Sequence, residues 1–197
     1  LVSNGSSRAS KPVAPATANR YLATLSAAFT SAVKDLHWLD SNPCSRVRKK
    51  TEPKGRDRYL SNISEGLDRN SELERFCKAT TDSDHPYLEL IVMLALTTGC
   101  RLGEIWNLKR GDIDHVNARI FISDTKNGDR KVVSLQSNVS DLIRGHSTPH
   151  ERFSDWLIPS LQNPAKKDWT WRKAWSDVLK EADITDFRFH DLRHTFA

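Results

Sequence analysis

Cysteine is scarce in this chain of 197 residues. Cys44, Cys77 and Cys100 are an odd number with no metal-type spacing. That argues against a disulfide framework and against a zinc ribbon, and favours a reduced protein with small buried thiols. Long apolar runs are also missing. The longest, around Leu88 to Leu96, has the length of a core helix and falls well short of the ~20 residues that span a bilayer. The opening Leu-Val-Ser-Asn-Gly-Ser-Ser has neither the basic nor the apolar region of a secretory signal and reads as tag-like. No membrane partner is expected, and the cytoplasm is the expected compartment. No internal repeat is present.

What remains is ordinary for a soluble globular protein, with 38% hydrophobic and 28% charged residues. The length suits one good-sized domain, or one domain and part of another. The charge is uneven. Residues 1–58 hold eleven Lys and Arg against four acids, or +7, which leaves −2 of the overall +5 for the rest. Seven of the eleven are Arg46, Arg48, Lys49, Lys50, Lys54, Arg56 and Arg58. Clustered cations of this kind release counterions from a nucleic-acid backbone. A solvated basic linker has the same composition, and charge alone does not separate the two.

Residues 1–16 are rich in Ser, Ala and Pro and read as disordered or extended. Thr17 is a candidate N-cap for a helix to about Trp38, with Leu22, Leu25, Phe29, Ala32, Val33 and Leu36 as an apolar stripe. Nothing upstream could cover that stripe, so residues 17–45 read as the last part of a helical domain. Asn42-Pro43 closes it, and residues 46–58, with Pro53 and Gly55, form a basic linker. A second domain, 59–197, follows. In it, helices are expected over Ser71–Ala79, Tyr87–Thr98 and Arg101 to about Lys109, the second apolar nearly all round and capped by Gly99. The period then changes. Ile113–Val116, Arg119–Ser123 and Arg130–Leu135 read as strands, with Asn127-Gly128 as a hairpin turn. Helical patterns resume at Asn138–Arg144, at Trp169–Glu181, whose Trp169, Trp171, Trp175 and Val178 are expected to pack, and in a last helix at the end. The fold class is mainly α with a small antiparallel β-sheet (α+β).

Three motifs in the second domain can carry chemistry. In His190-Asp191-Leu192-Arg193-His194, a helix would put His190, Arg193 and His194 at i, i+3 and i+4 on one face. Two imidazoles and a guanidinium suit an anion better than a core. The two histidines also have zinc-protease spacing, but Asp191 is shorter than the usual Glu, Arg193 would sit beside a dication, and no third ligand is near. A metallohydrolase is therefore a remote alternative. Thr97-Thr98-Gly99-Cys100-Arg101-Leu102-Gly103-Glu104 sets Arg101 and Glu104 at i and i+3, either a surface ion pair or a guanidinium awaiting a stronger anion. Asp124-Thr125-Lys126-Asn127-Gly128 places Lys126 beside a hairpin tip, either as an ordinary turn lysine or as a mobile proton donor.

In this order and spacing, Thr98-Gly99-Cys100-Arg101-Leu102-Gly103-Glu104, Thr125-Lys126-Asn127-Gly128 and His190-Asp191-Leu192-Arg193-His194-Thr195-Phe196-Ala197 resemble the tyrosine recombinase (phage integrase) family. The resemblance runs from about Pro15 to Ala197, where Ala16-Thr17-Ala18-Asn19-Arg20-Tyr21-Leu22 and Asn42-Pro43 look like the close of the family's core-binding domain. It implies site-specific recombination of double-stranded DNA through a 3′-phosphotyrosyl intermediate, without metal or cofactor. Arg101 and Arg193 would hold the non-bridging oxygens of the scissile phosphate, Lys126 would protonate the leaving 5′-oxygen, and His190 would bond the phosphate and share in proton transfer. Glu104 would orient the site, and His194 would do the same or pack. The basic linker would cross DNA between two domains that form a clamp.

The family's nucleophilic tyrosine lies beyond the His–Arg box. Tyr21, Tyr59 and Tyr87 all precede it, and none has the right context. The resemblance therefore implies a chain that binds DNA and does not cleave it, monomeric in solution, within a longer protein that acts as a homotetramer on DNA. A non-catalytic DNA-binding remnant that interferes with an intact partner is the alternative. The Leu-Arg-His-Thr-Phe wording disfavours a type IB topoisomerase.

Overall fold

The computed structural model describes residues 12–63, 70–123, 130–146, 154–160, 162–163 and 170–196. The chain divides into two compact units after Arg56. Among the described residues, no helix is long and apolar enough to cross a membrane.

In the first unit, α1 covers Pro15–Lys34. It starts two residues before the expected Thr17 cap, because Pro15 at the first helical position brings a fixed φ and lacks an N–H that would otherwise go unbonded. It also stops before Trp38, where His37 takes a left-handed conformation with φ 53°. The chain then returns along the helix through a 3₁₀ turn, Pro43–Arg46. Asn42 ties the return down, its amide donating to Ser26 O (2.9 Å) and Thr30 Oγ1 (3.0 Å) while its Oδ1 accepts from Cys44 N–H (2.9 Å). The apolar stripe is covered in part: Leu22, Phe29, Ala32 and Val33 are half-buried, while Leu25 and Leu36 are 54% and 49% exposed. Asn19 is the one buried residue of α1, against the expectation of an inward apolar face.

The second unit is built on α3, Leu88–Thr98. Leu88, Leu90, Ile91, Val92, Leu94 and Ala95 are all buried, so an apolar surface on every side has become a central helix. Packed on it are α2 (Glu72–Thr81), α4 (Leu102–Trp106), α5 (Ser137–Gly145), α6 (Trp171–Glu181) and α7 (Leu192–Phe196). A capping box starts α2, with Ser71 Oγ accepting from Glu74 N–H (3.2 Å) and Glu74 accepting from Ser71 N–H (2.8 Å). Phe76 of α2 meets Trp175 edge-on at 5.5 Å and Phe187 at 6.0 Å, and Trp171 and Trp175 both reach Phe189 at 5.3 Å. The expected packing role of Trp171, Trp175 and Val178 is thus observed, while Trp169 lies outside the described residues.

Strands β1 (Ile113–Asp114), β2 (Arg119–Ile122) and β3 (Lys131–Ser134) form an antiparallel sheet in that order. Pairing of Ile120 with Val133 and of Ile122 with Lys131 turns Ile120 and Ile122 inward and leaves Phe121 and Val132 outside. The Asn127-Gly128 turn lies outside the described residues.

Two helices differ from expectation. The third was expected to reach Lys109 but ends at Trp106, because the backbone beyond it pairs with a distant segment: Leu157 N–H donates to Leu108 O and Arg110 N–H to Asp155 O, both at 2.9 Å. The last is not one helix. Phe189–Asp191 is a 3₁₀ turn from which α7 continues.

Phe76 is fully buried where α2, α6 and the 187–189 segment meet. Phe76→Ala is expected to destabilise this unit by about 3–5 kcal/mol. Urea unfolding followed by tryptophan emission measures it, with an unchanged m-value marking a pure stability loss.

Candidate active site

The αL cap that ends α3 is where the site begins. Gly99 has φ +61°, and a Cβ there would lie 2.6 Å from the Phe196 ring, so glycine is favoured by conformation and by space. The turn carries the chain into Arg101, the N-cap of α4. Glu104 holds that arginine twice, Oε2 accepting from its backbone N–H at 2.9 Å and Oε1 from Nη1 at 2.8 Å. The carboxylate is buried (5% exposed), whereas the Arg101 side chain is 47% exposed. One edge of the guanidinium is therefore fixed from behind, and the rest meets solvent.

Burial alone would raise the Glu104 pKa. The Arg101 N–H, its guanidinium and Lys131 outweigh burial and hold the carboxyl below its ordinary value. Lys131, at the start of β3, is thereby within electrostatic reach of Glu104.

Arg193 arrives from the far end of the chain. Helix α7 packs along α3, and Arg193 Nη1 donates to the Gly99 carbonyl at 2.7 Å. That carbonyl lies two residues before Arg101, so both arginines are anchored around a single turn. Between them Cys100 is buried, and burial raises its thiol pKa, with Lys131 and Arg193 pulling the other way and Glu104 adding to the rise.

His190 and His194 are exposed, and their rings meet edge-on with centroids 5.8 Å apart. The step from 3₁₀ turn to α7 keeps them together although they do not share one regular helix. Asp191 is buried and accepts from Arg188 N–H at 2.8 Å. It caps its own turn, and among the described residues no cluster of His, Cys, Asp and Glu could hold a metal. Thr195 latches the box to the start of the unit, its Oγ accepting from Leu60 N–H and donating to Asp191 O, each at 3.1 Å.

Lys126 lies outside the described residues. Of the basic stretch, Arg46, Arg48, Lys49, Lys50 and Lys54 are exposed in the first unit, and Arg56 is half-buried. Arg58 belongs to the second unit. Its guanidinium grips Glu72 with two bonds, 2.8 and 2.6 Å, and lies over the Phe187 ring at 5.4 Å. The Arg58 hydrogen bond, followed by Ser61 N–H, lowers the Glu72 pKa against the effect of burial. Sequence reasoning missed the Gly99 carbonyl and Thr195, which anchor Arg193 and the box. A backbone oxygen has no letter in a sequence, and only the predicted cap pointed to it.

The lowered Glu104 pKa sets a pH dependence. Its contribution to stability is complete above the ordinary glutamate range, about 4.3, and is lost as pH falls through the lower folded value. Glu104→Gln is expected to cost about 1–3 kcal/mol at neutral pH and to flatten the acid side of the stability curve. Urea midpoints across a pH series measure both.

The sequence profile described as the Phage integrase family matches residues 69–197. The Shufflon-specific DNA recombinase of Escherichia coli is 29% identical over 95% of this chain and 44% of its own length. The integrase of Salmonella phage P22 is 30% identical over 95% of this chain and 47% of its own. The chain thus spans about half the length of these relatives. The Tn1549 transposon integrase in complex with circular intermediate DNA superimposes with TM-score 0.70, at 17% identity over 93% of this chain and 66% of that one. Lambda integrase bound to DNA gives 0.66, at 20% identity over 92% and 64%. At those identities the two structures share the fold. With the profile covering well over half of its residues, the chain belongs to the phage integrase family.

Proposed function

We propose that this chain supplies the phosphate-holding part of a site-specific DNA recombinase. One observation carries the reading: Arg101 and Arg193 are anchored around the same Gly99 turn, and Arg101 keeps much of its guanidinium in solvent. Two guanidinium forks anchored at one turn suit the non-bridging oxygens of a phosphodiester, and they would stabilise the charge that grows as phosphorus becomes five-coordinate. The exposed imidazole of His190 offers a further donor on the same box. In the cleavage step a tyrosine oxygen attacks phosphorus, the phosphorus–5′-oxygen bond breaks, and Lys126 delivers the proton to that oxygen. The product is a 3′-phosphotyrosyl bond that conserves the energy for rejoining.

Double-stranded DNA is the proposed partner; the lambda integrase neighbour is bound to DNA. Arg46, Arg48, Lys49, Lys50 and Lys54 would bind its backbone without regard to sequence. Arg58 is spoken for by Glu72 and is better read as part of the fold. The nucleophile is not among these residues. Tyr87 is fully buried, and Tyr21 and Tyr59 are surface residues outside the box. The whole recombinase is proposed to act as a tetramer on DNA, with this chain alone monomeric.

Two measurements test the reading. Incubated with a nicked duplex and denatured, the chain is expected to leave no covalent protein–DNA adduct, and an adduct would show that one of its own tyrosines reacts. Arg193→Ala is expected to weaken duplex binding about tenfold or more, by loss of a charge-assisted phosphate contact. Unchanged affinity in a folded variant contradicts the clamp.

A further inference from the structure

The basic stretch is less free than its composition suggests. Seven cations within thirteen residues repel one another, and an untethered segment of this kind would be a mobile chain. In the structure it is pinned to α1 at two points. Asn42 fixes the near end at Ser26 and Thr30. Asn19 fixes the far end, and it does so with every polar atom of its side chain. Its Oδ1 accepts from Lys50 N–H at 2.8 Å, and its Nδ2 donates to Lys50 O at 2.8 Å and to Glu52 Oε1 at 2.7 Å.

The side-chain amide thus satisfies both backbone groups of Lys50, much as a neighbouring strand would. The Lys50 ammonium is left pointing out, and Arg46, Arg48 and Lys49 are exposed between the pins. Glu52, the sole acid in residues 46–56, has its carboxylate bound to Asn19. Asn19 is also the one buried residue on a helix whose apolar stripe is at most half-buried. A polar residue has taken the position that packing would ordinarily give to a Leu or Val, and its whole hydrogen-bonding capacity goes to this strap.

We propose that Asn19 is the positioning residue of a preorganised DNA-backbone-binding strap, residues 46–52. The pin orders the strap before DNA arrives, so the entropy of ordering it is not charged to binding. This rests on the reading of the stretch as a DNA-contacting surface. The charges bind, and Asn19 sets where they stand.

The test is fluorescence anisotropy of the 197-residue chain on a short random-sequence duplex across a salt series. Asn19→Ala is expected to weaken binding about tenfold at every salt concentration, with the log–log salt slope unchanged, since no cation is removed. Lys49→Gln should weaken binding and reduce the slope by about one. The paired Asn19→Asp, Glu52→Gln variant keeps net charge, the acceptor for Lys50 N–H and, with its donor reversed, the contact with residue 52, but it has no donor for Lys50 O, so it should bind more weakly than the parent and more tightly than Asn19→Ala. It also carries the test if Asn19→Ala loses helix content. Parent-like affinity for Asn19→Ala alongside a weakened Lys49→Gln overturns the positioning role alone, as does a slope that falls with Asn19→Ala. Parent-like affinity and slope for Lys49→Gln overturn the DNA-binding role of the stretch itself.

Discussion

The hydrogen bond from Arg193 to the Gly99 carbonyl is the contact on which the site depends. A carbonyl at the end of a buried helix lacks an intrahelical donor, and a charged donor from elsewhere in the chain satisfies it well. Here the donor comes from α7, ninety-four residues later in sequence, and the same turn delivers Arg101 to the start of α4. Phe196 against the bare Cα of Gly99 closes the join. Packing, capping and the future anion site are thus set by one junction. Helix α3 is apolar on every side because it must support α7, α5, α4 and α6 around that junction.

Glu104 shows the same economy. Buried behind Arg101, it is a cost to the fold unless paired, and its partner is the guanidinium that the Gly99 turn delivers. The pairing leaves part of the Arg101 guanidinium in solvent. The ion pair thus uses one edge of the side chain and leaves the rest available to an anion.

Much of this was legible in the sequence. The all-round apolar pattern of Leu88–Thr98, the Gly99 cap and the strand period after Ile113 each rest on local physics, and each is seen. What escaped was decided by distant partners. The third helix ends at Trp106 because residues 155–157 take the next backbone groups, and no local signal announces that. Arg58 looked like one more cation of a basic run, and Glu72, fourteen residues away, claims it. Asn19 entered the sequence reading only as one residue of the Ala16–Leu22 motif. Only the returning strap shows that it faces in.

The central claim is that Arg101 and Arg193 form one anion site. Side-chain nitrogen NMR of arginine during titration with inorganic vanadate, a phosphate mimic, tests it most directly. The account predicts that the Arg101 and Arg193 Nε signals move together, with a common midpoint, and that Glu104→Gln or Gly99→Ala weakens both at once. Shifts with separate midpoints, or a response from only one arginine, would contradict it.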